Sequence, residues 1–220
     1  MAQTELSSGA SRGSKSKALR LLVLPAAIAL VLVAIALDTT VIHIGSQEDV
    51  RAAEFSPEAF GEAEFPRIQS AIETEAVDAV TLLAAINEDR ATAIERYGEP
   101  GSVGPVFPVY FSGAVGEGRS GVFPVTVEGI PDDLLIRVQF GPAINGTEVR
   151  DATGTIAFGD FTNQIEYQDA GSALNNQVKA LVFADLDRDN LPGQTVSVVG
   201  VFRLVNPASW FVTPVRLEIE

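Results

Sequence analysis

From Leu21 to Leu37 the chain reads LLVLPAAIALVLVAIAL, 17 positions without one polar side chain. A run of this kind has no solvated face, which sets it apart from the striped surface helix of a globular domain. At about 1.5 Å per residue it reaches about 25 Å, the short end of a membrane crossing. Ala18 and Leu19 extend it, with Arg20 snorkelling toward the headgroups, and Pro25 falls in its first turns, where a missing N–H costs least. A transmembrane signal anchor over 18–37 is predicted, behind a tail at 1–17 and ahead of a tether at 38–55.

The pattern then turns amphipathic. Ser56-Pro57-Glu58 is a helix start, with Ser as N-cap and Pro at the first helical position. Gly61 and Pro66 interrupt the helix it opens. Ile68, Ile72, Ala76, Val80 and Leu83 recur at spacings of three and four, predicting a longer helix over 67–86. Asn87 caps a last short helix, 88–97, closed by Gly98 and Pro100. Residues 56–100 read as a small helical subdomain whose apolar face needs a partner.

From Gly101 the period shortens to two. Apolar stretches at 106–115, 121–127 and 134–140, bounded by Gly, Pro or Asp, predict strands. Asn145-Gly146 is a type I′ turn signal joining 142–144 to 147–149, and 154–161 predicts another strand. Leu174, Val178, Leu181 and Val182 place a helix within 162–185. Strands follow over 195–205, with Val196, Val198 and Phe202 on one side, and over 211–219, with Val215, Leu217 and Ile219 on one face. About six short strands with a helix inserted before the last two predict an α+β body over 101–220, an OB-like, partly open β-barrel. An open antiparallel sheet backed by that helix is the alternative.

Charge fixes the orientation. Residues 1–37 hold Arg12, Lys15, Lys17 and Arg20 against Glu5, whereas residues 38–220 hold 11 basic and 28 acidic side chains. The positive-inside bias puts the N-terminus in the cytoplasm and everything after Asp38 outside it. A cleaved signal peptide, with Ala34-Ile35-Ala36 as cleavage pattern, competes with the uncleaved anchor, although the apolar run exceeds the usual length. The overall charge of −14 argues against a nucleic-acid partner, because phosphate neutralisation needs clustered Lys and Arg.

Little of the remaining chemistry is specific. The sequence has no cysteine and one histidine, so thiolate metal sites, catalytic thiols and a lipidated cysteine are excluded, and His43 is a linker residue. Asp185-x-Asp187-x-Asp189 alternates as calcium loops do, but Asn190 and Val196 stand where such a loop needs Gly and Glu, so a solvated turn is the reading. Gly113-x-x-Gly116-x-Gly118 opens no helix and is no nucleotide fingerprint. No cofactor or metal is called for. Tyr110 and Trp210 are either ligand-stacking or core aromatics. The densest polar cluster is Asp160, Thr162, Asn163, Gln164, Glu166 and Tyr167, followed by Asn175 and Asn176. Amides, a hydroxyl and a phenol ring together suit a sugar or another small polyol, while Thr162 and Asn163 also fit as helix caps. Glu166 with Asp160 or Asp169 would serve a glycan hydrolase if the carboxyl groups shared one cleft.

The phrases Gly154-Thr-Ile-Ala-Phe-Gly-Asp-Phe-Thr-Asn-Gln-Ile-Glu-Tyr167, Ala173-Leu-Asn-Asn-Gln-Val178, Leu191-Pro-Gly-Gln-Thr-Val-Ser-Val-Val-Gly-Val-Phe202 and Val212-Thr-Pro-Val-Arg-Leu-Glu-Ile219 resemble an uncharacterised bacterial family of predicted periplasmic lipoproteins. The likeness runs over about residues 40–220. It implies a small helical domain followed by an OB-like α/β domain, and an accessory role beside sugar ABC transporters, near whose genes such families are often encoded. Many members carry a lipobox Cys where this chain has Ala36-Leu37-Asp38. Here the apolar helix must hold the protein at the membrane, or be cleaved. The expectation is a membrane-tethered periplasmic accessory protein that binds a small polar ligand or a transporter subunit. A glycan hydrolase and a purely structural envelope assembly factor are the alternatives.

Overall fold

The first helix of the body starts where the sequence carries its clearest start signal. In the computed structural model, which describes residues 29–33, 55–101 and 103–220, the Ser56 hydroxyl accepts from the Ala59 N–H at 3.3 Å and Pro57 opens helix α1 (Pro57–Glu75). The sequence predicts a break between Gly61 and Pro66, yet α1 runs through both. Gly61 is buried against the later helix α5 (Gln164–Gln177), where an added Cβ would stand 3.0 Å from the Ala173 carbonyl oxygen. Glycine is there for close helix packing. Pro66 is exposed, and the carbonyl it leaves unserved belongs to Glu62, also exposed, so the missing bond falls on the solvent side of the helix.

The break comes instead at 76–78, inside the helix expected over 67–86. Val77–Asp78 forms a two-residue strand, β1, parallel to strand β2 (Val106–Val115). Helix α2 (Ala79–Glu88) then starts on Asp78, whose carboxylate accepts from the Thr81 N–H at 2.9 Å. Helix α3 (Arg90–Tyr97) is capped by Asp89 rather than Asn87. Asp89 accepts from the N–H groups of Ala91 and Thr92 and from the Thr92 hydroxyl. The Thr92 bonds, backbone first, followed by the Ala91 N–H, hold its carboxyl below the ordinary carboxylate value. A carboxyl depressed in the folded state supports the fold above its unfolded pKa and withdraws that support as pH falls through the lower, folded value. The Ala91 and Thr92 amide signals are therefore expected to titrate below the midpoint of an unstructured Asp. An unshifted midpoint would contradict the cap.

Four further strands complete a barrel: β3 (Val122–Val127), β4 (Leu135–Gln139), β5 (Thr195–Arg203) and β6 (Ser209–Ile219). Their order is β2-β3-β4-β6-β5, and β5 pairs back onto β2, so the barrel is closed rather than partly open. All neighbours are antiparallel except β4 and β6. Closure is possible because β2 is long enough to pair from Val106 with Arg203 to Ala114 with Thr195. The register of β5 on β6 shifts between Val199 and Gly200. A Cβ at Gly200 would lie 2.6 Å from the Thr213 carbonyl oxygen, so only glycine lets the strands approach there. The shift also buries Val201 and Phe202 together, where strict alternation would turn one outward.

Two expected strand features are absent. Asn145-Gly146 makes no hairpin: Gln139 captures Asn145, accepting from its N–H at 2.9 Å and donating to its carbonyl at 3.0 Å, and helix α4 (Glu148–Asp151) follows Thr147 directly. Residues 154–161, expected as a strand, are irregular and end in a 3₁₀ turn, Phe158–Asp160. The inserted helix is present as α5, shorter than 162–185, and continues as a π-helical turn, Val178–Val182. The wider turn changes the helical phase, which leaves Leu181 62% exposed although its spacing put it on the apolar stripe.

Inside the barrel, the Phe107, Phe202 and Trp210 rings stack in a column with centroid distances of 5.7 and 4.4 Å. Phe65, Ile68 and Ile72 of α1 belong to the same core as the strands, so the helical segment finds its partner in the barrel. Phe55–Glu220 is thus one compact unit. In the unit before it only 29–33 is described, a helical stretch inside the span expected over 18–37. The remainder of that span, the tail, His43 and all of the tether except Phe55 lie outside the described residues. Among the described residues, no helix is long and apolar enough to cross a membrane.

Candidate functional site

The parallel pairing of β4 with β6 sets Leu135 beside Ser209 and Arg137 beside Phe211. Ile136 and Val138 point into the core, so Arg137 takes the outer face of the barrel. Its guanidinium lies over the Phe211 ring, 5.3 Å from the centroid, and Nη2 donates to the Ser209 hydroxyl at 3.0 Å. Its Nε is buried and has no acceptor among the described residues. These side chains line one wall of a cleft of about 250 Å³, completed by Glu148, Arg203 and Asn206. The cleft opens between the third and fifth barrel strands and the loop between β5 and β6. In barrels of this topology that loop is one of two which, with the face of the second and third strands, bind oligonucleotides and oligosaccharides.

The back of the cleft is fixed by α4. Asp151 is the hub: its carboxylate accepts from Arg150 Nε at 2.8 Å, from Arg203 Nη2 at 2.6 Å and from the Thr147 hydroxyl at 2.7 Å. Arg203 reaches Glu148 at 3.3 Å and the Gly104 carbonyl at 3.1 Å. Arg150 donates to the Tyr167 carbonyl at 2.8 Å and lies 3.6 Å over that ring's centroid. One short helical turn therefore ties β5 to α5. Arg203 is committed to two carboxylates, whereas Arg137 has none bonded to it among the described residues.

The residues singled out from sequence occupy a different place. Asn163 is the N-cap of α5, its side-chain oxygen accepting from Ile165 and Glu166 N–H at 2.9 and 3.0 Å. Glu166 reaches back to the Thr162 N–H at 2.9 Å and to the Asn163 amide at 3.3 Å. Asp160 accepts from the Ala157 N–H at 2.9 Å. Gln164 begins the helix, exposed, and Tyr167 packs on Phe158 and Phe161. Asn175 lies about 18 Å further along the axis, buried, donating to the Gly146 carbonyl at 2.9 Å, and Asn176 is exposed. The structure joins Thr162, Asn163 and Glu166 at one helix start and leaves Asn175 and Asn176 apart from them. None of these residues lines the Arg137 cleft. Asn163→Ala is expected to cost about 1 kcal/mol, the usual worth of an N-cap, and a urea melt checks it.

Sequence reading missed Arg137, Arg203, Ser209 and Phe211. One signal was present: Arg137 is the only charge within Leu134–Phe140, a strand otherwise almost wholly apolar. Of the other features weighed, Trp210 is buried while Tyr110 is 47% exposed, and Asp187 caps the 3₁₀ turn Arg188–Asn190 through the Asp189 N–H at 3.2 Å.

A family model described as predicted periplasmic lipoprotein (DUF2291) matches residues 27–218 of the chain. No curated protein matches it. Among solved structures, an OB-fold protein from Thermotoga maritima is similar, with 22% identity and a TM-score of 0.62. The match covers 76% of this chain and 100% of that one. At that identity the likeness is one of fold.

Proposed function

Since this chain belongs to the family of predicted periplasmic lipoproteins (DUF2291), we propose that it is a membrane-anchored periplasmic accessory protein that binds a small polar ligand in the Arg137 cleft, in the service of sugar uptake by an ABC transporter. The sequence holds no cysteine to carry a lipid, so the apolar run at 21–37 takes the anchoring role. Intact mass of protein extracted from its native membrane is then expected near 23.3 kDa. A mass lower by the first 36 or so residues would mean cleavage.

The observation that supports binding is the cleft itself. It adjoins the loop between β5 and β6, one of the loops through which OB barrels bind ligands, and offers a half-buried arginine, a hydroxyl, an amide and an aromatic ring. Its one carboxylate, Glu148, is engaged by Arg203, which leaves no second carboxyl group for paired acid–base work. Binding, not turnover, is the role these groups fit.

The test uses the full-length chain in lipid nanodiscs, titrated with a panel of neutral and acidic monosaccharides and followed by NMR. Saturable shifts at Arg137, Ser209 and Phe211 are the expected result. Shifts confined to the start of α5 would return the site to Asn163 and Glu166, and no shift with any member would count against ligand binding altogether.

A further inference from the structure

We propose that the ligand of the Arg137 cleft is a monoanion bearing one carboxylate, an acid sugar in preference to a neutral sugar or a sugar phosphate. This rests on reading the cleft as a ligand site. In the cleft and at its back Arg137, Arg150 and Arg203 stand against Glu148 and Asp151, which leaves one positive charge uncompensated in a chain of net charge −14. The uncompensated charge belongs to Arg137. Arg203 is held by Glu148 and Asp151, while Arg137 donates only to the neutral Ser209 hydroxyl among the described residues.

Arg137 is also preorganised. The Phe211 ring beneath it and the bond to Ser209 restrict where the guanidinium can lie. A fixed planar fork is the geometry that a carboxylate matches with two parallel bonds. Its Nε is buried and has no acceptor among the described residues, so the cation has lost part of its hydration before any ligand arrives, and an anion at its accessible end offsets part of that cost through charge.

Charge and size narrow the class. One carboxylate neutralises the cleft. A phosphate monoester carries about −1.5 to −2 at neutral pH and would leave excess negative charge beside Glu148. A volume of about 250 Å³ falls below the roughly 300–1,000 Å³ of sites for drug-sized ligands, which fits a single ring.

The experiment follows emission from Trp210, the only tryptophan and a chain neighbour of both Ser209 and Phe211. Full-length protein in nanodiscs is titrated with glucuronate and galacturonate, with glucose and galactose as their neutral parents, and with glucose 6-phosphate. An acid sugar is expected to saturate at a concentration at least about tenfold lower than its neutral parent or the phosphate ester, the worth of one charge-assisted bond. Raising the salt should weaken the acid sugars and leave the neutral ones unchanged. Arg137→Gln should abolish the preference, and the wild-type ratio stands as a test without any variant. A neutral parent or the phosphate ester binding as tightly as the acid sugar overturns the proposal, as does a preference that survives Arg137→Gln. If no sugar changes the emission or moves the Ser209 and Phe211 amide signals, the ligand-binding reading falls with it, whereas tight neutral binding at the cleft would remove only the charge preference.

Discussion

Asp151→Ala is expected to lower the free energy of unfolding by about 3 kcal/mol. Removing one member of a buried ion pair costs about 3–5 kcal/mol, because the partner stays buried without its counter-charge. The lower end applies because Asp151 keeps 21% of its side chain exposed, against 7% for Arg150 and 13% for Arg203. The loss is not total: Arg203 retains Glu148, and Arg150 retains the Tyr167 carbonyl and ring. Both guanidiniums nevertheless lose the carboxylate they share, and α4 loses the bond that Thr147 makes to it. Urea unfolding followed by Trp210 emission measures the change. A loss under about 1 kcal/mol would mean that water replaces the carboxylate at both arginines, as it does for exposed pairs. Asp151→Asn, which keeps an acceptor but not the charge, should fall between the variant and the wild type.

Trp210→Ala should cost more, about 4 kcal/mol, in line with the 3–5 kcal/mol typical of a large buried aromatic. Trp210 is wholly buried and stacks on Phe202, which stacks in turn on Phe107. Removing it opens a cavity at one end of the column in a barrel whose closed ladder resists collapse. Among the described residues its indole N–H has no acceptor, so there the ring contributes through packing. Trp210→Phe, which keeps an aromatic ring and deletes the unpartnered donor, is therefore expected to cost only about 1–2 kcal/mol. Circular dichroism melts compare the two, since both variants lose the fluorophore. Equal losses would show that shape, not ring stacking, governs the site.

The barrel strands were legible because each is bounded by turn residues and carries its own pattern. Val106–Val115 emerges with the expected limits, and Val122–Val127 and Thr195–Arg203 differ from expectation only at their ends. What local pattern could not show was decided by distant partners. Gly61 reads as a breaker until Ala173 packs against it, and Asn145-Gly146 reads as a hairpin until Gln139 takes its backbone groups. Val77 and Asp78 leave the helix because β2 offers a ladder beside them. The cleft was hidden for the same reason. It is assembled from β4, α4, β5 and β6, and no window of the sequence holds Arg137 together with Arg203 and Phe211. The polar phrase at 160–167 drew attention because it is contiguous, yet its Asn163 and Glu166 groups are engaged in starting a helix.

The closed ladder has a consequence in time. Ser112 and Ser197, paired across β2 and β5, are 85 residues apart in sequence, and β6 must insert between β4 and β5 after both exist. No closed barrel can form until β6 is free to pair. Contacts so remote also fold slowly, because loop closure precedes any gain from pairing. Loss of even the final strand would leave an unclosed sheet with exposed edges rather than a smaller working domain.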